Sequence, residues 1–106
     1  MQTPLVDAND LQALREGAGQ AATLLRTVGN EHRLLVLCLL LQREEMSVGA
    51  LLHEVGLSQS ALSQHLARMR EEGLVACRRE SQTMYYRIAD PAVGRLIATL
   101  KEIFCP

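Results

Sequence analysis

The sequence predicts a mainly α-helical domain that carries one small β-hairpin. Apolar side chains make up 48% of the chain and aromatic ones only 3%, so that Leu and Ala do most of the packing, as in helical proteins. Several long segments place apolar side chains three and four residues apart, which is the period of an amphipathic helix. Two short runs on either side of Ser81 and Gln82 alternate apolar and polar side chains instead, which is the period of paired strands.

A chain of 106 residues is long enough for one domain and too short for two. Residues 1–106 are therefore expected to form a single domain, with residues 1–8 disordered. The first residues have neither the basic nor the apolar region of a signal peptide, and no apolar run approaches the ~20 residues of a membrane span. These features predict a cytoplasmic protein without a membrane partner. Its three cysteines are expected to be thiols there rather than structural disulfides.

Two helices are expected in the first part of the chain. Asn9 or Asp10 can cap a first helix that runs to about Val28, and Asn30 can cap a second one. The second helix, NEHRLLVLCLLLQ, is apolar on nearly all sides but too short to cross a membrane. It is therefore expected to be the central buried helix of the domain.

A short helix, a turn and a second capped helix follow, in the order typical of a helix-turn-helix. Ser47 caps the short third helix, SVGALLHEV, and Gly56 forms the turn. Ser58 caps the fourth helix, which Gly73 terminates.

The fourth helix has two different sides. An apolar stripe at helical spacing consists of Leu62, Leu66 and Met69. The opposite side carries small or uncharged side chains, namely Ser60, Ser63, Gln64 and Ala67. Small residues let a helix backbone approach a DNA major groove, and Gln and Ser supply hydrogen-bonding groups for base edges. The alternative interpretation is an ordinary solvent-exposed face that happens to lack charge.

The hairpin and a last helix complete the chain. The runs LVACRRE and TMYYRI flank Ser81 and Gln82, and because this pair is not favoured in a two-residue turn, the loop is expected to be longer than it looks. Asp90 caps the last helix and Pro91 opens it. The apolar stripe of this helix has few partners left in a chain of this size. A second copy of the chain is therefore expected to cover the first and last helices.

Charge is distributed unevenly in a chain whose formal net charge is −1. Residues 1–57 carry four Arg against seven Asp or Glu, whereas residues 58–87 carry five Arg against three Glu. A basic excess around the fourth helix and the hairpin indicates DNA binding. The residues expected to contact base edges are Gln59, Ser60, Ser63 and Gln64. Arg78, Arg79 and Gln82 of the hairpin are expected at phosphates or in the minor groove, and Arg68 and Arg70 at the DNA backbone. His65 is expected either to pack or to contact a phosphate.

Taken together, these elements resemble the winged-helix repressors of the ArsR/SmtB family. The segments that carry the resemblance are VGNEHRLLVLCLL, SVGALLHEVGLSQSALSQHLARMREEGLV and RRESQTMYYRI. The resemblance implies a winged helix-turn-helix of five helices with the hairpin between the fourth and the fifth. It also implies a homodimer joined through the terminal helices, a palindromic double-stranded DNA operator as partner and a place at the nucleoid. An enzyme is not expected, because the sequence offers no supported nucleophile–base pair and no Gly-rich phosphate loop.

The usual metal sites of that family have no counterpart in this sequence. The third helix holds no cysteine, and the last helix, DPAVGRLIATLKEIFC, holds no histidine. Since zinc and soft metals need clusters of such ligands, neither a metal nor another cofactor is expected. An alternative is a metal-sensing repressor with an unusual site built from Cys38, Cys77 or Cys105.

Cys38 in the second helix and Cys105 near the end of the last one resemble the cysteine pair of a metal-independent branch of the family. By this resemblance they are the sensing dithiol, and reactive sulfur species or oxidants are the inducer. A disulfide or a polysulfide bridge between them would change the affinity for the operator. The alternatives are a Cys38 that only packs, an incidental Cys105, and an anti-repressor or interaction module without an inducer. Cys77 in the hairpin is expected only to pack.

Overall fold

The computed structural model describes residues 8–105, with side chains from residue 10 onward. Within this range the chain forms five helices and three short strands, which confirms the predicted class. In chain order they are α1 (Ala8–Val28), α2 (Glu31–Arg43), β1 (Met46–Ser47), α3 (Val48–Val55), α4 (Gln59–Glu71), β2 (Val75–Glu80), β3 (Thr83–Ile88) and α5 (Pro91–Phe104). The sequence predicts disorder for residues 1–8. Residues 1–7 of this segment lie outside the described range, and Ala8 is helical.

Side-chain caps begin four of the five described helices, at the positions that the sequence predicts. Asn30, Ser47, Ser58 and Asp90 each accept a hydrogen bond of 2.9–3.1 Å from a backbone N–H two or three residues later. A cap of this kind stabilises a helix by about 1 kcal/mol. The cap predicted at residue 9 or 10 is wrong, because α1 begins at Ala8 and both residues lie inside the helix.

β2 and β3 form the predicted hairpin, and the connection between them is as short as the sequence allows. Glu80 lies opposite Thr83, so only Ser81 and Gln82 remain in the turn. The expected longer loop is therefore wrong. Ser81 has a φ of +55°, which is the left-handed conformation that lets a chain reverse within two residues.

β1 is an element that the sequence pattern does not predict, because a strand of two residues has no detectable period. Met46 lies opposite Tyr86 and Ser47 opposite Tyr85, which makes β3 the central strand of a sheet ordered β1-β3-β2. β1 also runs directly into α3. The sheet and the helix-turn-helix therefore share a backbone junction.

The core lies between α2, α5, the sheet and the inner side of the helix-turn-helix. Its fully buried side chains include Leu37, Leu40, Leu51, Leu62, Leu66, Met69, Val93 and Ile97. The prediction that α2 is the central buried helix is only partly met, because Leu35 is 41% exposed. The neighbouring elements cover one side of α2 and leave the other open within a single chain.

The two terminal helices leave large apolar side chains in solvent. Leu11, Leu14 and Leu25 of α1 are exposed, and so are Ile103 and Phe104 at the end of α5. The described chain extends over 53 × 30 × 21 Å, so this apolar surface belongs to an elongated molecule. No described helix is long and apolar enough to cross a membrane.

Candidate nucleic-acid interface and dithiol

The turn between α3 and α4 orients the helix that carries the predicted DNA contacts. Gly56 caps α3 in the left-handed region with a φ of +67°, a conformation that costs glycine little. Leu57 then packs half-buried against the core. The buried stripe of α4, which includes Leu62 and Met69 at 0% exposure, fixes the rotation of the helix. The residues on the opposite side of α4 must therefore face outward.

All four residues predicted to contact base edges lie on this outward side. Gln59, Ser60, Ser63 and Gln64 are exposed, and Ala67 beside them is half-buried. No side chain of this group carries charge. The face is open and rich in hydrogen-bonding groups, as the prediction requires.

An open groove of about 730 Å³ separates α4 from the hairpin. Gln59, Ser63 and Arg70 line it from α4, and Gln82 lines it from the turn of the hairpin. The structure thus brings four of the predicted site residues to one groove, although they are distant in sequence. The start of α3 forms the floor at Gly49, where the absence of a side chain leaves space.

The arginines at the end of α4 already have protein partners. Arg70 donates from Nη1 to the Sγ of Cys77 at 3.3 Å, a contact that joins α4 to β2. This hydrogen bond raises the pKa of Arg70. Arg68 lies 3.4 Å from Glu72, which also accepts a 2.5 Å hydrogen bond from the buried Thr27 of α1.

The β2–β3 hairpin is the wing of the fold, and its two adjacent arginines differ in their surroundings. Arg79 donates from Nε to the carbonyl oxygen of Ser81 at 3.1 Å, and its guanidinium has no carboxylate partner among residues 10–105. Arg78 instead has ion pairs with both Glu45 and Glu80. Glu45 is a contact that sequence reasoning missed, because it lies 33 residues from Arg78 and no local pattern links them.

His65 lies on the flank of α4 that packs toward α2 rather than on the outward side. Its ring centroid is 6.0 Å from that of His32, and the side chain is half-buried. Burial lowers the pKa of His65, and the positive charges of Arg33 and His32 lower it further. This placement supports the packing role that the sequence left open.

We expect the free energy of unfolding to fall as the pH drops below about 6.5, the ordinary pKa of a histidine. The pKa of His65 is lower in the folded protein, so the unfolded chain binds the proton first and acid favours unfolding. Urea titrations across this pH range measure the effect. His65→Gln should flatten the pH dependence, whereas His53→Gln, at an exposed histidine of α3, should not. An unchanged pH dependence in His65→Gln would contradict this role.

Cys38 and Cys105 approach each other where α5 packs on α2. Both are free thiols, with Cys38 half-buried in α2 and Cys105 exposed at the end of α5. Burial raises the pKa of Cys38, the negative charge of Cys105 raises it further, and Lys101 opposes both effects. The two thiols are therefore within electrostatic reach of each other and of Lys101. A pocket of about 550 Å³ at the same place is lined by Leu41 and Cys105, among others.

The described residues offer little to a metal ion. Between residues 10 and 105 no three His, Cys, Asp or Glu side chains come together as a metal site. Cys77 packs half-buried against the core, as predicted, and also accepts the hydrogen bond from Arg70.

Comparisons of the sequence and of the fold with known proteins show which family this chain resembles. Residues 30–76 match the bacterial regulatory protein arsR family. The HTH-type transcriptional regulator YgaV of Escherichia coli strain K12 is 47% identical over 97 residues, which cover 92% of this chain and 98% of YgaV. The chain belongs to the arsR family. The structure of reduced HlyU from Vibrio cholerae N16961 superposes on this arsR-family chain with a TM-score of 0.85 at 43% identity, covering 90% of this chain and 99% of HlyU. The transcriptional repressor BigR from Xylella fastidiosa gives a TM-score of 0.82 at 35% identity and covers 90% and 96%.

Membership of the arsR family confirms several predictions together. The chain is a winged-helix, DNA-binding transcriptional regulator of the HlyU, BigR and YgaV type, and the family does not consist of enzymes. DNA is therefore its partner. The exposed face of α4 and the hairpin carry most of the residues that the sequence predicts to contact DNA.

Proposed function

We propose that this regulator is a homodimeric repressor whose affinity for a palindromic operator is switched by a covalent bridge between Cys38 and Cys105. The observation that carries the proposal is the placement of two free thiols within electrostatic reach of each other, one on α2 and one at the end of α5, two helices that pack together. Reactive sulfur species or oxidants are the inducer. Such a repressor acts in the cytoplasm, at the nucleoid.

The exposed apolar surface of the terminal helices supports the homodimer. Leu11, Leu14 and Leu25 on α1 and Phe104 on α5 lie in solvent in the single chain, and covering them with a second copy removes this area from water. A twofold dimer uses the same patch on both subunits. It would present two α4 helices to half-sites ~34–36 Å apart along the duplex.

The open face of α4 supports the assignment of base contacts. In this proposal Gln59, Ser60, Ser63 and Gln64 read base edges in the major groove, since all four are exposed and uncharged. The neighbouring basic and polar side chains position the protein on the phosphates. Of these, Arg70 and Gln82 line the same groove as Gln59 and Ser63.

The bridge forms by ordinary thiol chemistry. Cys105 is exposed and meets the oxidant first, whereas burial raises the pKa of Cys38 and keeps that thiol protonated. A peroxide transfers one oxygen to the Cys105 thiolate and gives a sulfenic acid. The Cys38 sulfur then displaces water and forms the disulfide. A persulfide donor instead transfers its outer sulfur to each cysteine and leaves as a thiol. Attack of one cysteine persulfide on the inner sulfur of the other expels hydrogen sulfide and leaves a trisulfide, which relaxes the ~7 Å limit on the Cα separation of a direct disulfide.

The position of the bridge explains how it would reach the DNA. α2 packs against α3 and α4 as well as against α5, and α5 belongs to the proposed dimer surface. A covalent link between α2 and α5 therefore changes the angle between the dimer axis and both α4 helices. A shift of a few ångströms at each helix disturbs both half-site contacts at once.

Single replacements of the two thiols test this proposal. Cys38→Ser and Cys105→Ser are each expected to bind DNA as the reduced wild type does and to stay bound after peroxide or persulfide treatment. Cys77→Ser is the matched control and should release DNA like the wild type. Band shifts and intact mass of the same samples measure the outcome, because a disulfide removes two hydrogens and a polysulfide adds sulfur. Release of DNA by either single variant would show that the switch is misassigned.

A further inference from the structure

Arg78 of the wing contacts three other side chains of the protein, although its own side chain is 46% exposed. Its Nε and Nη2 donate to the two carboxylate oxygens of Glu45 at 2.9 and 2.7 Å, and its Nη1 donates to Glu80 at 2.9 Å. The guanidinium also lies over the ring of Tyr85, 4.5 Å from its centroid. Two parallel hydrogen bonds from one arginine to one carboxylate fix its orientation as well as its position.

These contacts run across the whole sheet. Arg78 lies on β2 opposite Tyr85 of the central strand, and Tyr85 lies opposite Ser47 of β1. Glu45 immediately precedes β1. The arginine therefore passes over the central strand and connects one edge of the sheet to the backbone that leads into α3.

Arg78 and Arg79 point to opposite faces of the sheet, because successive side chains of a strand alternate. Arg79 shares its face with Cys77, which contacts Arg70 of α4 and lies opposite the buried Tyr86. This is the face of the sheet that lies beside α4. Arg78 lies on the other face, away from the groove.

The charge around Arg78 does not favour a phosphate. Arg78, Glu45 and Glu80 together have a net charge of −1. Arg87, whose positive charge also acts on Glu45, brings the local sum to zero, so an approaching DNA phosphate meets no net positive charge there. The guanidinium lowers the pKa of Glu45 and the two carboxylates raise the pKa of Arg78, so both partners stay ionised near neutral pH. Arg79, in contrast, has no carboxylate partner among the described residues.

We propose that Arg78 is a positioning residue, which Glu45 and Glu80 hold across the sheet so that the wing is fixed against the helix-turn-helix, and that it acts on DNA only through Arg79. This inference uses the DNA-binding activity of the fold and is independent of the thiol switch. It revises the expectation that both wing arginines contact the duplex directly.

The salt dependence of DNA binding separates positioning from direct contact. Each phosphate that a protein neutralises contributes about 0.9 to the slope of log K against log salt concentration. Reduced full-length protein is titrated, by fluorescence anisotropy, onto a fluorescein-labelled random-sequence duplex of about 30 base pairs, long enough for two half-sites. We expect Arg79→Ala to lower the slope by about one for each wing. Arg78→Ala and Glu45→Gln should each weaken binding in the wild-type background and change neither affinity nor slope once Arg79 is alanine.

Other results would overturn the proposal. If Arg78 contacts phosphate itself, the slopes lost in Arg78→Ala and Arg79→Ala add in the double variant, and Glu45→Gln strengthens binding because it releases the guanidinium. No effect of Arg78→Ala in the wild-type background would also exclude positioning. Arg43→Ala is the matched control, since it removes an exposed guanidinium that pairs with Glu54 of α3 rather than with a residue of the wing. If Arg78→Ala fails to fold, the direction of the Glu45→Gln effect still decides between the two roles.

Discussion

Leu62→Ala is expected to lower the free energy of unfolding by about 2–5 kcal/mol, which is the range for truncating a fully buried leucine. Leu62 has no exposed surface and lies on the stripe of α4 that faces the core. Its removal leaves a cavity beneath the helix that reads DNA. A loss of this size is a large part of the ~5–15 kcal/mol that stabilises a typical domain. Urea unfolding of the reduced protein at a fixed protein concentration measures it.

Leu62→Met is the matched control for this prediction. It keeps nearly the same volume and apolar character, so the expected loss is below about 1.5 kcal/mol. If the alanine and methionine variants unfold at the same urea concentration, the side chain does not fill the core. The orientation of α4 that we infer from the burial of Leu62 would then be wrong.

Gln64→Glu is expected to weaken operator binding about 5-fold to 150-fold, because a good side-chain contact to a base edge discriminates by ~1–3 kcal/mol. The substitution keeps the shape of the side chain and replaces an amide donor by a carboxylate. Gln64 is exposed, so the stability of the fold should hardly change. Anisotropy titrations with operator DNA measure the affinity, and thermal unfolding checks the fold.

Gln42→Glu provides the control for charge. It makes the same chemical change at an exposed position near the end of α2, away from the reading face. Its effect on DNA affinity should be small and should disappear as salt is added. Equal losses in the two variants would mean that only net charge matters and that Gln64 reads no base.

Local patterns predicted those parts of the fold that are local in physical origin. The caps at Asn30, Ser47, Ser58 and Asp90 depend on a side chain and a backbone N–H two or three residues away, which a sequence displays directly. The burial of the Leu62 stripe follows from helical spacing alone. The outward placement of the opposite, uncharged side of α4 then follows from that burial.

What sequence reasoning missed depends on contacts between distant residues. β1 exists only because β3 pairs with it, and Glu45 matters only because the sheet brings Arg78 to it. The sequence therefore predicts the same DNA contact for Arg78 and Arg79, although the fold gives the two side chains different partners. The exposed side of α2 at Leu35 was missed for a related reason, because composition does not show which face of a helix its neighbours cover.

The proposed recognition of DNA depends on the outward, uncharged face of α4, and chemical protection of this face by DNA tests it most directly. Ser60→Cys, made in a protein whose three native cysteines are serine, places one thiol on that face. The rate of its reaction with a maleimide is measured with and without saturating operator DNA. We expect rapid labelling of the protein alone and a rate that falls several-fold when the duplex is bound. A thiol that reacts equally fast in both samples, or that is unreactive even without DNA, would contradict it.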